Sequence, residues 1–475
     1  MSGKQDLATL EAAELVRLFR TRQASSVEAT RAALDRIDRL NGEYNAYCFV
    51  DHAAALALAR DSETRWMRGE PLSGIDGVTA SIKDIILSRG WPTLRGSRST
   101  DPAQDWREDA PAVARLRESG AVLLGKTTTP EFGWKGVCDS PLLGITRNPW
   151  NRDMTSGGSS GGAAVAAALG MGCLHIGTDG GGSIRIPAGF SGVFGLKPTF
   201  GLVPAYPLSM FGTIAHLGPM TTSVESAARM LTVMAKPDDR DWFSLPYERR
   251  DFCVGLDGGV AGLRIALSLT LGYAQVDPEV AALVEQAAER FADMGATLVR
   301  RDPGFADPFD VFRIHWFTGA ANQRRTIPAE RHGQLDPGFN RIADVGEAIP
   351  HMDYIDAINK RAQLGYRMSM FHRDFDILLT PTLPIPAFEA GYVAPPECDQ
   401  FNWMPWTPFS FPFNLTQQPA ASIPCGFTSG GLPVGLQIVA PKYRDDLVLR
   451  VARAHENVHP IAIPGHATAR ARTDH

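Results

Sequence analysis

The chain has 475 residues, of which 44% are hydrophobic and 21% charged. This is the composition of a globular protein, and it excludes a disordered chain or a charge-rich coiled coil. A net charge of −5 gives no basic footprint for nucleic acid.

The chain starts helically, with Leu15, Val16, Leu18 and Phe19 on one stripe. Ser25-x-x-Glu28 reads as a capping box opening a second helix, with Gly42 just past its end. Residues 77–82 then alternate Val78, Ala80 and Ile82, the period of a strand, which places Lys83 at its end. Residues 112–119 look helical, Gly120 stops them, and 121–124 reads as a buried strand. Further on, 263–267 is a strand candidate. Asp277-Pro278 opens a helix that runs to Gly295, and 297–299 returns as a strand. This alternation predicts an α/β protein with a large, mixed, mostly parallel sheet covered by helices on both faces. The stretch 237–262 is the best candidate for a surface connection, and no clean domain break is visible.

Six cysteines lie far apart, with no CxxC spacing, so reduced thiols and no zinc or redox site are expected. There is no HExxH and no paired-histidine spacing, so no metal and no organic cofactor is expected. The N-terminus has no basic start followed by an apolar block. The longest apolar stretch, 163–176, is broken by Gly170 and Gly172 and is too short to span a bilayer. A cytoplasmic protein without nucleic-acid or membrane partners is expected.

Chemistry concentrates in two glycine–serine runs, 155–162 and 177–183. Such runs let consecutive backbone N–H groups point into one cavity, to hold a phosphate or to stabilise an oxyanion beside a serine nucleophile. Two other patterns fail on context. Gly120 to Thr127 matches a Walker A loop in letters, but its AVLL is itself strand-like, whereas a phosphate loop follows a strand and opens a helix. Gly157 to Gly161 matches a nucleophile elbow, yet no core strand precedes it. A serine–glycine system remains, with Lys83 as a base if it is buried.

The set GVTASIKD (77–84), GKTTTPEFG (125–133), SGGSSGGAAVAAALG (156–170), GTDGGGSIRIPAGFSGVFGLKPTFGLVP (177–204), GPM (218–220), ILLTPTLP (377–384) and PAASIPCG…GLPVGLQIV (419–439) resembles the amidase signature family. The motifs stand in the family's order over 71–441, and Ser159 and Ser183 have the family's separation. The resemblance implies a single domain over 71–465, with 1–70 as a helical segment packed on it. It implies a C–N hydrolase with Ser183 as nucleophile, Ser159, held in a cis peptide, as proton relay and Lys83 as base. The N–H groups of Gly180, Gly181, Gly182 and Ser183 would form the oxyanion hole. Ser160 would support the network, and Asp179 and Arg185 would hold the loop. Three positions depart from the family's habit: Gly180, Ser156 and Gln417, where Thr, Pro and Gly are frequent.

Residues 401–413, FNWMPWTPFSFPF, hold six aromatics among thirteen residues. They read either as core packing or as a pocket wall in which Trp403 and Trp406 touch substrate. The wall reading makes an apolar or aryl amide, or a carbamate, the expected small-molecule substrate, with water as co-substrate. The rivals are the glutaminase component of a tRNA-dependent amidotransferase and an inactive, amidase-like binding protein. A homodimer is left open.

Overall fold

Residues 6–464 are described by the structure, a computed structural model. Residues 1–5 of the expected N-terminal segment and residue 465 of the expected domain lie outside them. The N-terminal part supplies β1 (Tyr47–Val50), β2 (Thr79–Lys83) and β3 (Val122–Thr127), then a small ribbon of β4 (Asp139–Ser140) and β5 (Gly144–Ile145). The middle gives β6 (Leu174–Asp179), β7 (Phe194–Lys197) and β8 (His216–Thr221). The C-terminal half adds β9 (Arg264–Leu267), β10 (Thr297–Arg300), β11 (Ile377–Pro381), β12 (Ala420–Phe427) and β13 (Pro433–Val439).

Eleven of these strands form one sheet in the order β1-β3-β2-β6-β8-β7-β12-β13-β11-β9-β10. The sheet is mixed, as expected, but it is not mostly parallel. Among the described residues four of its ladders are parallel and six antiparallel. β8, β7, β12 and β13 follow one another across the sheet as antiparallel neighbours, which a reading of helix–strand alternation cannot detect. The strands bury both faces. Ile265, Leu267, Ile377, Leu379, Ile423 and Leu436 enter one core, while Ala266, Leu378, Ala420 and Val439 enter another. Side chains alternate across a strand, so these neighbours point to opposite helical layers.

The capping box holds: the Ser25 hydroxyl accepts from the Glu28 N–H, and the Glu28 carboxylate accepts from the Ser25 N–H. Gly42, however, lies inside that helix, Ser26–Tyr44, and Asn45 in the left-handed region caps it. Segment 1–70 is not purely helical either, because β1 pairs antiparallel with β3 at the sheet edge. The helix predicted after Asp277 runs Pro278–Asp293, with Asp277 as its cap. The 237–262 connection carries no regular element. No described helix is long and apolar enough to cross a membrane.

The site follows from one local feature. β2 and β6 are parallel neighbours, with Ile82 opposite Ile176. Their carboxyl ends therefore open at the same edge, bringing Lys83 beside Thr178 and Asp179.

Candidate active site

Lys83 is fully buried. Its Nζ lies 2.7 Å from Ser159 Oγ, 2.9 Å from Ser160 Oγ and 2.9 Å from Thr178 Oγ1. Burial disfavours the ammonium form and lowers its pKa to about 7, against smaller upward pulls from Cys138 and Asp179. The strand reading and the resemblance thus place Lys83, Ser159 and Ser160 together. Thr178, the fourth member of the cluster, carries no signal of its own in the sequence, although it stands inside one of the motifs.

Ser159 follows a cis peptide bond from Gly158. The turn is packed against backbone: a Cβ on Gly158 would stand 2.4 Å from the Val137 carbonyl oxygen. Helix Gly161–Ala168 begins at once, with Ser160 at its N-cap position.

The second run leaves β6 after Asp179 and enters helix Arg185–Ser191. Asp179 and Arg185 form a fully buried ion pair. Asp179 Oδ1 also accepts the Gly182 N–H at 2.8 Å, and Oδ2 accepts the Ile184 N–H at 3.2 Å. This corrects the expected set of four oxyanion donors, because the Gly182 N–H is already spent on Asp179. The N–H groups of Gly180, Gly181 and Ser183 have no protein acceptor among the described residues. Gly181 turns inward, where its added Cβ would meet Phe312 at 2.5 Å and Trp403 at 2.8 Å.

A cavity of about 330 Å³ is lined by Ser159, Thr178, Gly180 and Ser183. No hydrogen bond joins the Ser159 and Ser183 hydroxyls among the described residues, although the two side chains share this cavity. The Ser183 carbonyl accepts the Ser160 N–H at 3.0 Å, tying the two runs together.

The Amidase family model matches residues 28–449, most of the chain. The chain belongs to the amidase signature family. This amidase is 36% identical to an acylamidase of Rhodococcus erythropolis, over 97% of each chain. It is 35% identical to a glutamyl-tRNA(Gln) amidotransferase subunit of Myxococcus xanthus, covering 95% of this chain and 98% of that one. Among solved structures it resembles a bacterial aryl acylamidase, with a TM-score of 0.89, 29% identity and coverage of 96% and 97%. It also resembles 6-aminohexanoate cyclic dimer hydrolase in complex with substrate, with a TM-score of 0.88, 27% identity and coverage of 97% and 99%. The protein is therefore a hydrolase of amide C–N bonds.

The amidase's aromatic segment does not line this cavity. Trp403 and Trp406 are buried in the core behind it. The Trp403 ring stands T-shaped to Trp316 and Phe312 and backs Gly181 and Gly136. Of the two readings of 401–413, core packing holds. Composition marks an aromatic cluster but not which side of the glycine turn it occupies. The aromatic wall comes instead from Phe132, Phe200, Phe211 and Trp316. Trp316 and Phe211 stack with centroids 3.4 Å apart. A Cβ on Gly180 would stand 3.0 Å from the Trp316 ring, so the missing side chain leaves this ring its place. Trp403→Ala is therefore expected to act as a large-to-small core change, costing roughly 3–5 kcal/mol. Small and large amides should lose activity alike. A melt and two substrates check this, and a loss confined to the large amide with an unchanged melting temperature would contradict it.

Proposed function

We propose that this amidase hydrolyses small apolar or aryl amides, and carbamates, through an acyl-enzyme on Ser183. The observation that carries the reading is the fully buried Lys83 amine 2.7 Å from the hydroxyl of Ser159, which lines one cavity with Ser183. Burial favours a neutral amine, and the hydrogen-bond pattern accommodates one. The Ser160 hydroxyl donates to the Thr178 carbonyl, so it accepts from Lys83. An uncharged amine has two N–H donors and one lone pair. Donating to Ser160 and Thr178 leaves the lone pair for the Ser159 hydroxyl.

The steps then balance. Ser183 Oγ attacks the carbonyl carbon while its proton passes to Ser159 Oγ and the Ser159 proton passes to Lys83. Charge gathers on the carbonyl oxygen, where the N–H groups of Gly180, Gly181 and Ser183 are available. One such donor is worth roughly 2.7–4 kcal/mol. The C–N bond breaks as the proton returns along the relay to the leaving amine. Water then attacks the ester by the same route, releasing the acid and restoring Ser183. Catalytic hydrogen bonds often tighten only with substrate in place, consistent with the missing Ser159–Ser183 bond.

The aromatic walls suit aryl groups, and the likeness to acylamidases points the same way. The 35% identity to an amidotransferase component keeps glutaminase as a second reading. Release of nitroaniline from an acyl nitroanilide, set against release of ammonia from glutamine, separates the two. A serine-directed sulfonyl fluoride is expected to label the peptide containing Ser183 and to spare it in Ser183→Ala. Unchanged total labelling in that variant would refute the nucleophile assignment.

A further inference from the structure

We propose that Arg95 is a specificity-determining residue that binds a carboxylate carried by the amide substrate. The inference deepens the function proposed above and rests on it. Among the described residues, only two that line the cavity carry a charged side chain, Arg95 and Asp241. Asp241 is already committed: its two oxygens accept the Ala205 N–H at 2.8 Å and the Phe243 N–H at 2.9 Å. The Arg95 guanidinium, by contrast, makes no ion pair and no hydrogen bond among the described residues.

The backbone of Arg95 is pinned. Its N–H donates to the Asp84 carbonyl at 2.9 Å, and its carbonyl accepts from the Phe132 N–H at 2.8 Å. It does so at φ 58, a left-handed conformation that arginine seldom adopts. The nearby Asp84 carboxylate does not pair with the guanidinium. Its oxygens are spent on the N–H groups of Leu94 and Gly96, and it is also drawn to the buried Lys126. Burial pulls the Arg95 pKa down, with Asp84 pulling weakly upward, yet a guanidinium keeps its proton at neutral pH. The Arg95 side chain is half-buried and has no protein partner among the described residues, so a carboxylate that reached it would gain a charge-assisted pair partly shielded from water. Its planar fork meets both carboxylate oxygens at once.

The subsite is close to the chemistry. Phe132 hands the chain to Gly133, whose added Cβ would stand 3.1 Å from Ser159 Oγ. The carboxylate would sit among Ile85, Ile86 and Phe132, on the rim that carries the relay serine. The substrate class is an amide whose acid or amine portion bears a carboxylate, such as the monoanilide of a dicarboxylic acid or an acylated aminobenzoate.

Two substrate pairs test this on the wild type, Arg95→Met and Arg95→Lys. One pair is glutaryl and pentanoyl 4-nitroanilide; the other is N-butyryl-4-aminobenzoate and butyranilide. The readout is the charged-to-neutral ratio of kcat/KM within a pair. In the wild type one pair is expected to favour the carboxylate by about 10- to 100-fold, mainly through KM. Methionine should abolish the preference and lysine should keep part of it. Glutarate and benzoate should raise the melting temperature of the wild type, but not of Arg95→Met, at equal ionic strength. Hydrolysis of neutral anilides with no preference in either pair would overturn the inference and leave the proposed function standing. So would a preference that survives in Arg95→Met. If no anilide is cleaved, the proposed function fails. The carboxylate-dependent melting shift then decides Arg95 alone, and its absence in the wild type overturns the inference.

Discussion

Replacing Lys83 with alanine is expected to lower kcat by about 10⁴-fold or more while leaving cooperative melting in place, the scale seen when one member of a serine relay is removed. The lysine is buried, and its three side-chain contacts are all hydroxyls. Burial lowers its pKa to about 7, and Cys138 and Asp179 only partly oppose this. Its neutral form therefore dominates above that pH, so kcat/KM should climb with pH through a limb near 7 and level off beyond it. Below the limb the rate should fall about tenfold per pH unit as the amine takes up its proton. The stability sign is separate. Between about 7 and the ordinary value of 10.5 the unfolded chain holds a proton on Lys83 that the folded chain lacks, so this group's contribution to stability rises with pH. Lys83→Arg should not rescue activity, because guanidinium does not give up its proton. Measured rates between pH 5 and 9 decide the matter. A wild-type rate in Lys83→Arg, or a flat profile across pH 7, would remove Lys83 from the base role.

Local patterns in the sequence mark the strand end at Lys83 and the two glycine–serine runs, while the joining of Lys83, Ser159 and Ser183 into one site is what the resemblance to the amidase signature family implies. The alternation of Val78, Ala80 and Ile82 marks a strand, and a strand's end fixes where the next side chain goes. Glycine–serine runs announce backbone approached closely by something else. What stays hidden is everything decided across the fold. Trp403 and Trp406 form part of a dense aromatic run, but the run packs on the buried side of Gly181. Trp316 and Phe211, which do wall the cavity, sit in unremarkable surroundings 105 residues apart in the chain. That the Gly182 N–H is spent on Asp179 can be learned only from the turn itself. β1 and the antiparallel run through β8, β7, β12 and β13 are invisible to a reading of helix–strand alternation. Arg95 is hidden for a further reason. A sequence shows how many cations and anions a chain carries, and it does not show which cation is left unpaired inside a cavity.

Asp179→Asn is expected to destabilise the protein by about 3–5 kcal/mol and to abolish most activity, because it strands a buried charge. All five N–H donors of the Arg185 guanidinium are used. Nε and Nη2 reach Asp179 at 2.9 Å each, Nη2 also reaches Asn414 Oδ1, and Nη1 reaches the Ser410 carbonyl and Gln437 Oε1. The carboxylate in turn holds the N–H groups of Gly182 and Ile184, on either side of Ser183. This one ion pair therefore fixes the turn that presents Gly180, Gly181 and Ser183, and ties it to the segment 410–414. Burial alone would raise the Asp179 pKa, but Arg185, Lys197 and Asn414 outweigh it and hold the carboxyl well below the usual range. Its contribution to stability is thus fully present above the ordinary carboxylate value of 3.8 and is lost as the pH falls further. Asp179→Asn should accordingly flatten the acid limb of the stability profile as well as lower it at pH 7. Arg185→Met should destabilise for the mirror reason, leaving the carboxylate buried without its cation. The double variant removes both charges, so it should lose less than the two single losses combined, by about 0.5–3 kcal/mol. Denaturant unfolding of the wild type and the three variants at pH 7 and pH 3 tests the coupling. Strictly additive losses, or a single-variant loss below about 1 kcal/mol, would show that the pair does not hold the turn.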